Sequence, residues 1–199
     1  MNRLILASQS PRRSELLHRL GISFETDAPD VDESCSLPAP DAVLMLSRRK
    51  ASASALSHPD CFILAADTLV SCDDRSLGKP ENEQAASEML HLLSGRTHQV
   101  YTGVTVIDPS GALLSDLDRT DVSFAPLSDE EILSYIRSGE PMDKAGAYAL
   151  QGRAGLWVER LEGSDTSVIG LPLYLVRRLL SSAGYPLLRE LDRNHMIKG

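Results

Sequence analysis

Residues 4–13 read Leu-Ile-Leu-Ala-Ser-Gln-Ser-Pro-Arg-Arg. The apolar start suits a short buried strand, and it runs without a spacer into Ser8, Gln9 and Ser10. Pro11 then takes the slot favoured at the first position of a helix, with Ser10 placed to cap it. The helix expected over 12–20 carries Leu16, Leu17 and Leu20 on one face and ends at Gly21. A strand, a hydroxyl-rich turn and a helix N-terminus with two arginines gather backbone N–H groups and guanidinium donors around one point. An anion, phosphate above all, is the natural occupant. The plain alternative is a capped helix whose arginines are solvated.

Outward from this unit, apolar runs and helical patterns alternate, which predicts an α/β architecture. A second strand is expected over 24–28, an acidic, Ser- and Pro-rich loop over 31–40, and a helix over 41–56 with Val43, Leu46 and Ala53 inward. Residues 62–70 form an apolar strand interrupted only by Asp67 and Thr68; Asp73-Asp74 reads as a turn, and a helix over 82–93 stops at Gly95. The second half is more strand-like: 100–107 alternates, 108–111 turns, and a strand returns from Ala112, with 122–125 extending it. Ser128 and Glu131 form a capping box for a helix closed by Gly139. A strand over 156–161 surrounds Trp157, the one Trp, and a helix covers 172–182. The charged tail from Tyr185 shows no clear periodicity and is expected to be partly mobile. With no repeat and no linker, residues 1–185 are expected to form one domain of two lobes around a cleft, and 186–199 a tail.

Bulk properties narrow the function. A chain of 199 residues with 42% hydrophobic and 24% charged content is ordinary for a globular domain. Its net charge of −8 argues against a broad nucleic-acid-binding face but leaves room for a small phosphate ligand held by local cations. The N-terminus lacks an apolar run suited to a signal peptide or membrane span. Cys35, Cys61 and Cys72 lack metal-ligand spacing and fit a reducing cytoplasm. There is no His-x-x-x-His pair, Walker motif or nucleophile elbow.

Several side chains could carry chemistry. Asp67 sits within an apolar strand, where a carboxylate is costly unless it meets a metal, a cation or donors. It could orient or deprotonate a water; the plain reading is a strand-end Asp bonded to backbone. Glu33 lies in a loop with Asp30 and Asp32, either simply solvated or part of a hard-cation site completed by phosphate oxygens. Lys50 ends the run Arg48-Arg49-Lys50, whose members point in different directions around a helix, so that at most one or two face any one site. Lys79 precedes Pro80, which holds the backbone extended and can aim the lysine into a cleft. A lysine acts on phosphate as a mobile point charge, whereas Arg13 can bind two oxygens at once.

The ordered set of short motifs is similar to the Maf family of nucleotide pyrophosphatases. It comprises Ala-Ser-x-Ser-Pro-Arg-Arg at 7–13, Val-Asp-Glu at 31–33, Ala-Asp-Thr at 66–68, Gly-Lys-Pro at 78–80 and Leu-Ser-Gly at 93–95. It continues through Asp-Lys-Ala-Gly-Ala-Tyr at 143–148, Gln151-Gly152 and Val-Ile-Gly-Leu-Pro at 168–172, covering about residues 3–183. The resemblance implies an α/β fold of the Maf and ITPase type: a mixed twisted sheet with helices on both faces, and two lobes around a central nucleotide-binding cleft. It implies cleavage of a nucleoside triphosphate to monophosphate and pyrophosphate, with Asp67 as the proposed general base, Glu33 and Asp67 at a divalent cation (Mg²⁺ or Mn²⁺), and Ser8, Arg13, Lys50 and Lys79 on the phosphates. A cytoplasmic homodimer acting on nucleotides, without nucleic-acid or membrane partners, completes the expectation.

Arg12, Thr68 and Gln151 match the subgroup acting on dTTP and UTP, which has Arg after Ser-Pro, Thr after the catalytic Asp and Gln before Gly. A Gln amide offers both acceptor and donors to the N3–H and O4 edge of uracil or thymine. The stretches 28–33 and 160–163 look more like the subgroup acting on 7-methyl-GTP, which stays open as an alternative. So does a non-catalytic, nucleotide-binding regulator of cell division.

Overall fold

The computed structural model describes residues 3–196. Its centre is a seven-stranded sheet ordered β2-β1-β3-β5-β6-β7, with β4 also paired to β3. The strands are β1 (Leu4–Ala7), β2 (Glu25–Asp27), β3 (Phe62–Cys72), β4 (Arg75–Leu77), β5 (Thr97–Ile107), β6 (Leu113–Phe124) and β7 (Val158–Glu162). The helices are α1 (Pro11–Arg19), α2 (Ala39–Ser57), α3 (Glu83–Leu93), α4 (Asp129–Arg137), α5 (Asp165–Ile169), α6 (Leu173–Ser182) and α7 (Leu187–Met196). β1 runs parallel to β2 and β3, whereas β3, β5, β6 and β7 are antiparallel in succession.

Because strand side chains alternate between faces, β1 and β3 can each serve two layers. Leu4, Leu6, Leu64 and Ala66 join a core with Leu16 and Leu17 of α1 and Leu175, Val176 and Leu179 of α6. Ile5, Ala7, Ile63 and Ala65 face the other way, toward Ala51 of α2. A separate core occupies the far end of β3: Val70 and Cys72 pack with Leu90 and Leu93 of α3, Ile132 and Tyr135 of α4, and Phe124, Tyr148 and Trp157. Asp67 and Thr68 fall between the two ends of that strand, so the polar interruption in its sequence marks the boundary between these cores.

The strand pairing opens a gap at the same place. β5 pairs along one edge of β3 from Ile63 to Ser71. On the other edge β1 takes Phe62, Ile63 and Leu64, and β4 takes Val70, Ser71 and Cys72. Residues 65–69 are left between these two partners, and the cleft forms there. On one side of the sheet α2 approaches unusually closely, because a Cβ on Gly103 of β5 would lie 2.4 Å from the Val43 carbonyl oxygen. Only glycine permits that approach.

Three local expectations need correction, and one helix was not expected. Ser10 stands at the N-cap of α1 but its side chain makes no cap; instead its N–H donates to Ser8 Oγ at 3.2 Å. Leu20 lies beyond α1 and is 42% exposed, so the buried face is Leu16 and Leu17. Trp157 ends a 3-10 turn (Arg153–Trp157) ahead of β7, where its ring packs edge-on against Tyr135 rather than within a strand ladder. The stretch after Tyr185 forms α7, with Leu187 in the core and Leu191 packed against it, an i, i+4 pair too short to read as a period; residues 197–199 lie outside the described set.

Candidate active site

The gap in β3 opens into a cavity of about 650 Å³. Ser8, Arg12, Arg13, Glu33, Lys50, Asp67, Thr68, Lys79 and Gln151 all line it, although they come from six separate parts of the chain. Period-two alternation sends Asp67 toward α2 and Thr68 toward α1 and α5, and the open strand edge lets both reach the cavity.

On the α2 side, Lys50 Nζ donates to Asp67 Oδ1 at 2.5 Å and pairs with Glu33 Oε1 at 2.8 Å. Asp67 and Lys50 are both largely shielded, with side-chain exposures of 10% and 13%. Burial pushes the Glu33 carboxyl up, but the hydrogen bond and charge of Lys50, with Lys79 and Arg13 further off, leave it below its ordinary value. The other members of the basic run go elsewhere. Arg48 donates to Ser115 of β6 at 3.0 Å, and Arg49 donates to the Asp32 carbonyl at 2.9 Å, tying down the loop that carries Glu33. Glu33 and Asp67 therefore form a two-carboxylate set around one ammonium. Among the described residues no group of three or more His, Cys, Asp or Glu is placed to hold a metal. Two carboxylates at an open cavity suit a hard cation that draws its remaining ligands from phosphate oxygens and water, not one caged by protein alone.

On the other side, Arg13 is anchored three ways. Nε donates to the Gly170 carbonyl at 2.7 Å, Nη1 to Ser8 Oγ at 3.1 Å and Nη2 to Thr68 Oγ1 at 3.3 Å. A guanidinium has five N–H donors, so two remain for a ligand. Burial lowers its pKa, partly offset by Asp67 and Glu33, and an arginine starts so high that it stays charged. Thr102 Oγ1 donates to the Ser167 carbonyl at 2.8 Å, so at its 2.9 Å contact with Thr68 it accepts. The Thr68 hydroxyl hydrogen is thereby committed, and what Thr68 offers the cavity is an acceptor.

The remaining wall is built from 3-10 turns. Arg12 reaches from α1 to Asp143 Oδ2 at 2.9 Å, and Asp143 also pairs with Lys144. Burial raises the Asp143 carboxyl, yet these two cations hold it below its ordinary value. Gln151 is exposed at a turn on this wall, and Lys79 reaches the cavity from the segment after β4. Sequence reasoning assigned no role to Thr102, Glu140, Asp143 or Gly170. Asp143 stood inside a recognised motif, while Thr102 had only its place in an alternating strand. Conversely, Arg160 and Glu162 pair with each other on exposed β7 and do not line the cavity.

The fold has counterparts among solved structures. The Staphylococcus aureus Ham1 protein superposes with a TM-score of 0.54 at 13% identity, over 91% of this chain and 99% of its own. A HAM1 protein from Coxiella burnetii gives 0.53 at 15% identity, over 92% and 100%. These likenesses establish the fold. Within it, residues 3–183 match the model of the Maf-like protein family, and the chain belongs to that family. Relatives named dTTP/UTP pyrophosphatase come from Bacillus cereus, 48% identical over 90% of this chain and 95% of theirs, and Moorella thermoacetica, 48% over 92% and 96%. Another from Geobacillus is 46% identical over 93% and 100%.

Proposed function

We propose that the protein is a nucleoside triphosphate pyrophosphatase that hydrolyses dTTP and UTP to the monophosphate and pyrophosphate. The observation that carries this reading is the convergence at the β3 gap: one shielded carboxylate, Asp67, faces a cavity that Arg13, Lys50, Lys79 and Ser8 also line. The relatives named dTTP/UTP pyrophosphatase, at 46–48% identity over nearly the whole chain, support the substrate assignment.

In this reading Arg13, with its two remaining N–H donors, grips phosphate oxygens together with Ser8 and Lys79. Asp67 orients a water and accepts its proton as the water oxygen bonds to the α-phosphorus. The bond to the bridging oxygen breaks, and pyrophosphate leaves with that oxygen. Lys50 holds Asp67 in place and offsets charge near the phosphates. A divalent cation, Mg²⁺ or Mn²⁺, would be held by Glu33 and Asp67 and supplies charge neutralisation on the triphosphate. Gln151 and Arg12 face the base. Thr68, as an acceptor, suits the N3–H of uracil or thymine and not the N3 lone pair of cytosine. The reading includes a cytoplasmic homodimer that acts on free nucleotides; the net charge of −8 is the support for leaving polymeric nucleic acid out.

Of the two stretches that resemble the 7-methyl-GTP subgroup, 160–163 lies outside the cavity lining and 28–33 contributes to it, so that alternative rests on the second stretch alone. A nucleotide panel with pyrophosphate detection, run with and without Mg²⁺ or Mn²⁺, tests the assignment. Pyrophosphate release from dTTP and UTP exceeding that from 7-methyl-GTP and CTP is expected. A preference for 7-methyl-GTP would overturn the substrate class, and binding without turnover would favour the regulator.

A further inference from the structure

Gln151 sits in a tight turn closed by the Gly152 N–H donating to the Ala149 carbonyl at 3.1 Å. Both arms of that turn lead to one oxygen atom. On the incoming arm, the Ala149 N–H donates to Tyr135 Oη at 3.0 Å, and the Tyr135 hydroxyl donates to Glu140 Oε1 at 2.8 Å. On the outgoing arm, the Arg153 N–H donates to the same Glu140 Oε1 at 3.1 Å. Between them Gly152 leaves room for the carboxylate: a Cβ there would lie 1.9 Å from Oε1 and 2.5 Å from Cδ. Gly152 has φ −104°, within reach of any residue, so the carboxylate and not the backbone excludes a side chain.

Glu140 is itself held. Its carbonyl accepts from Lys144 Nζ at 2.7 Å, and its N–H donates to Ser138 Oγ at 3.3 Å. Tyr135 is 2% exposed, and burial raises its phenol pKa, so its hydroxyl keeps the proton it donates. The 3-10 turn Glu140–Asp143 thus touches both base-facing candidates, Gln151 through Glu140 and Arg12 through Asp143.

We propose that Glu140 is a positioning residue for base recognition, its carboxylate clamping the turn that presents Gln151. This rests on the base-facing role of Gln151 proposed above. Removing the carboxylate frees the Arg153 arm and takes away the acceptor that orients the Tyr135 hydroxyl under the other, so the amide is less pre-oriented, while the phosphate-binding wall across the cleft stays intact. The effect falls on KM and base preference and spares kcat.

The test compares kcat and KM for UTP and CTP, with thermal melts, in wild type, Glu140→Gln, Glu140→Ala, Gly152→Ala and the double variant Glu140→Ala/Gly152→Ala. Glu140→Ala and Gly152→Ala are expected to raise KM for UTP about tenfold, with kcat within about threefold, and to shrink the UTP-over-CTP preference by a similar factor. Glu140→Gln keeps an acceptor oxygen and should stay within about threefold of wild type. In the double variant Gly152→Ala should add little, because the group its Cβ meets has been removed. Should Glu140→Ala fail to fold, Gly152→Ala, which adds one methyl, carries the test. A folded Glu140→Ala or Gly152→Ala with wild-type KM and preference would overturn the clamp alone. Wild type without a UTP preference would overturn the base assignment instead, and the clamp would then be judged by whether KM rises for whichever triphosphate is hydrolysed best.

Discussion

The two walls of the cleft are made differently. The wall from β1, α1, α2 and the middle of β3 consists of regular elements packed on both faces of a sheet, and it carries Arg13, Lys50 and Asp67. The facing wall, from residue 140 to residue 157, is mostly 3-10 turns held by long-range side-chain bonds, and it carries Gln151 and the partner of Arg12. Rigid periodic elements suit a task common to every triphosphate. Turns, whose geometry depends on a few hydrogen bonds, suit the presentation of Gln151 to the base, which Arg12 and Thr68 of the first wall approach from the other side in the proposed function.

The largest expected effect tests the first wall. Asp67→Asn is nearly isosteric and keeps a hydrogen-bond acceptor for Lys50, but it cannot take a proton from water. Turnover of UTP should fall at least about 10²-fold, with nucleotide affinity by calorimetry within a few-fold. Activity within a few-fold of wild type would remove Asp67 from the chemistry.

The second prediction concerns the core behind the turn wall. His98 is fully buried, with Nε2 2.9 Å from the hydroxyl of Tyr148, whose ring borders the cavity. Burial lowers its pKa to about 4, against a smaller opposite pull from Asp121. Nδ1 has no partner, so a second proton there would be buried and unpaired. With the folded pKa below the unfolded one, the unfolded chain binds the extra proton first. The stability held by neutral His98 is therefore complete above about pH 6.5 and is lost as pH falls toward 4, a loss of about 3 kcal/mol at most. Melting curves between pH 7 and pH 4.5 should show a shallower decline in His98→Gln than in wild type. Parallel declines would mean that other groups set the acid limb.

A smaller effect probes how closely the first wall is built. Gly103→Ala places a Cβ against the Val43 carbonyl and pushes α2 outward. We expect a stability loss on the order of 2 kcal/mol. The variant should also lower kcat, since Lys50 rides on α2 and its contact with Asp67 would loosen. Wild-type melting and kcat would show that the helix can shift without consequence.

Much of the first wall was legible in the sequence because it is periodic. The β1 strand, Pro11 at the start of α1, and an Asp inside an apolar strand each follow from local rules; away from that wall, the capping box at Ser128 and Glu131 is likewise present in full. The second wall was not legible in that way. The bond from Arg12 to Asp143 spans 131 positions, and 3-10 turns leave no repeating pattern. Gln151 was found through motif resemblance, whereas Glu140, whose role lies in accepting from the Tyr135 hydroxyl and the Arg153 N–H, carried no signal at all.

The division of labour between the walls is tested most directly by kcat/KM for UTP, dTTP and CTP in Arg13→Ala and Gln151→Glu. Arg13→Ala should lower all three values by a similar factor, about 10-fold to 100-fold, because it removes a charged contact with phosphates shared by every substrate. Gln151→Glu places a carboxylate opposite O4 and cannot donate to it. It should lower UTP and dTTP by about tenfold, the modest size reflecting an exposed site, and leave CTP nearly unchanged. A Gln151→Glu enzyme that loses all three substrates equally, or an Arg13→Ala enzyme whose loss depends on the base, would contradict the account.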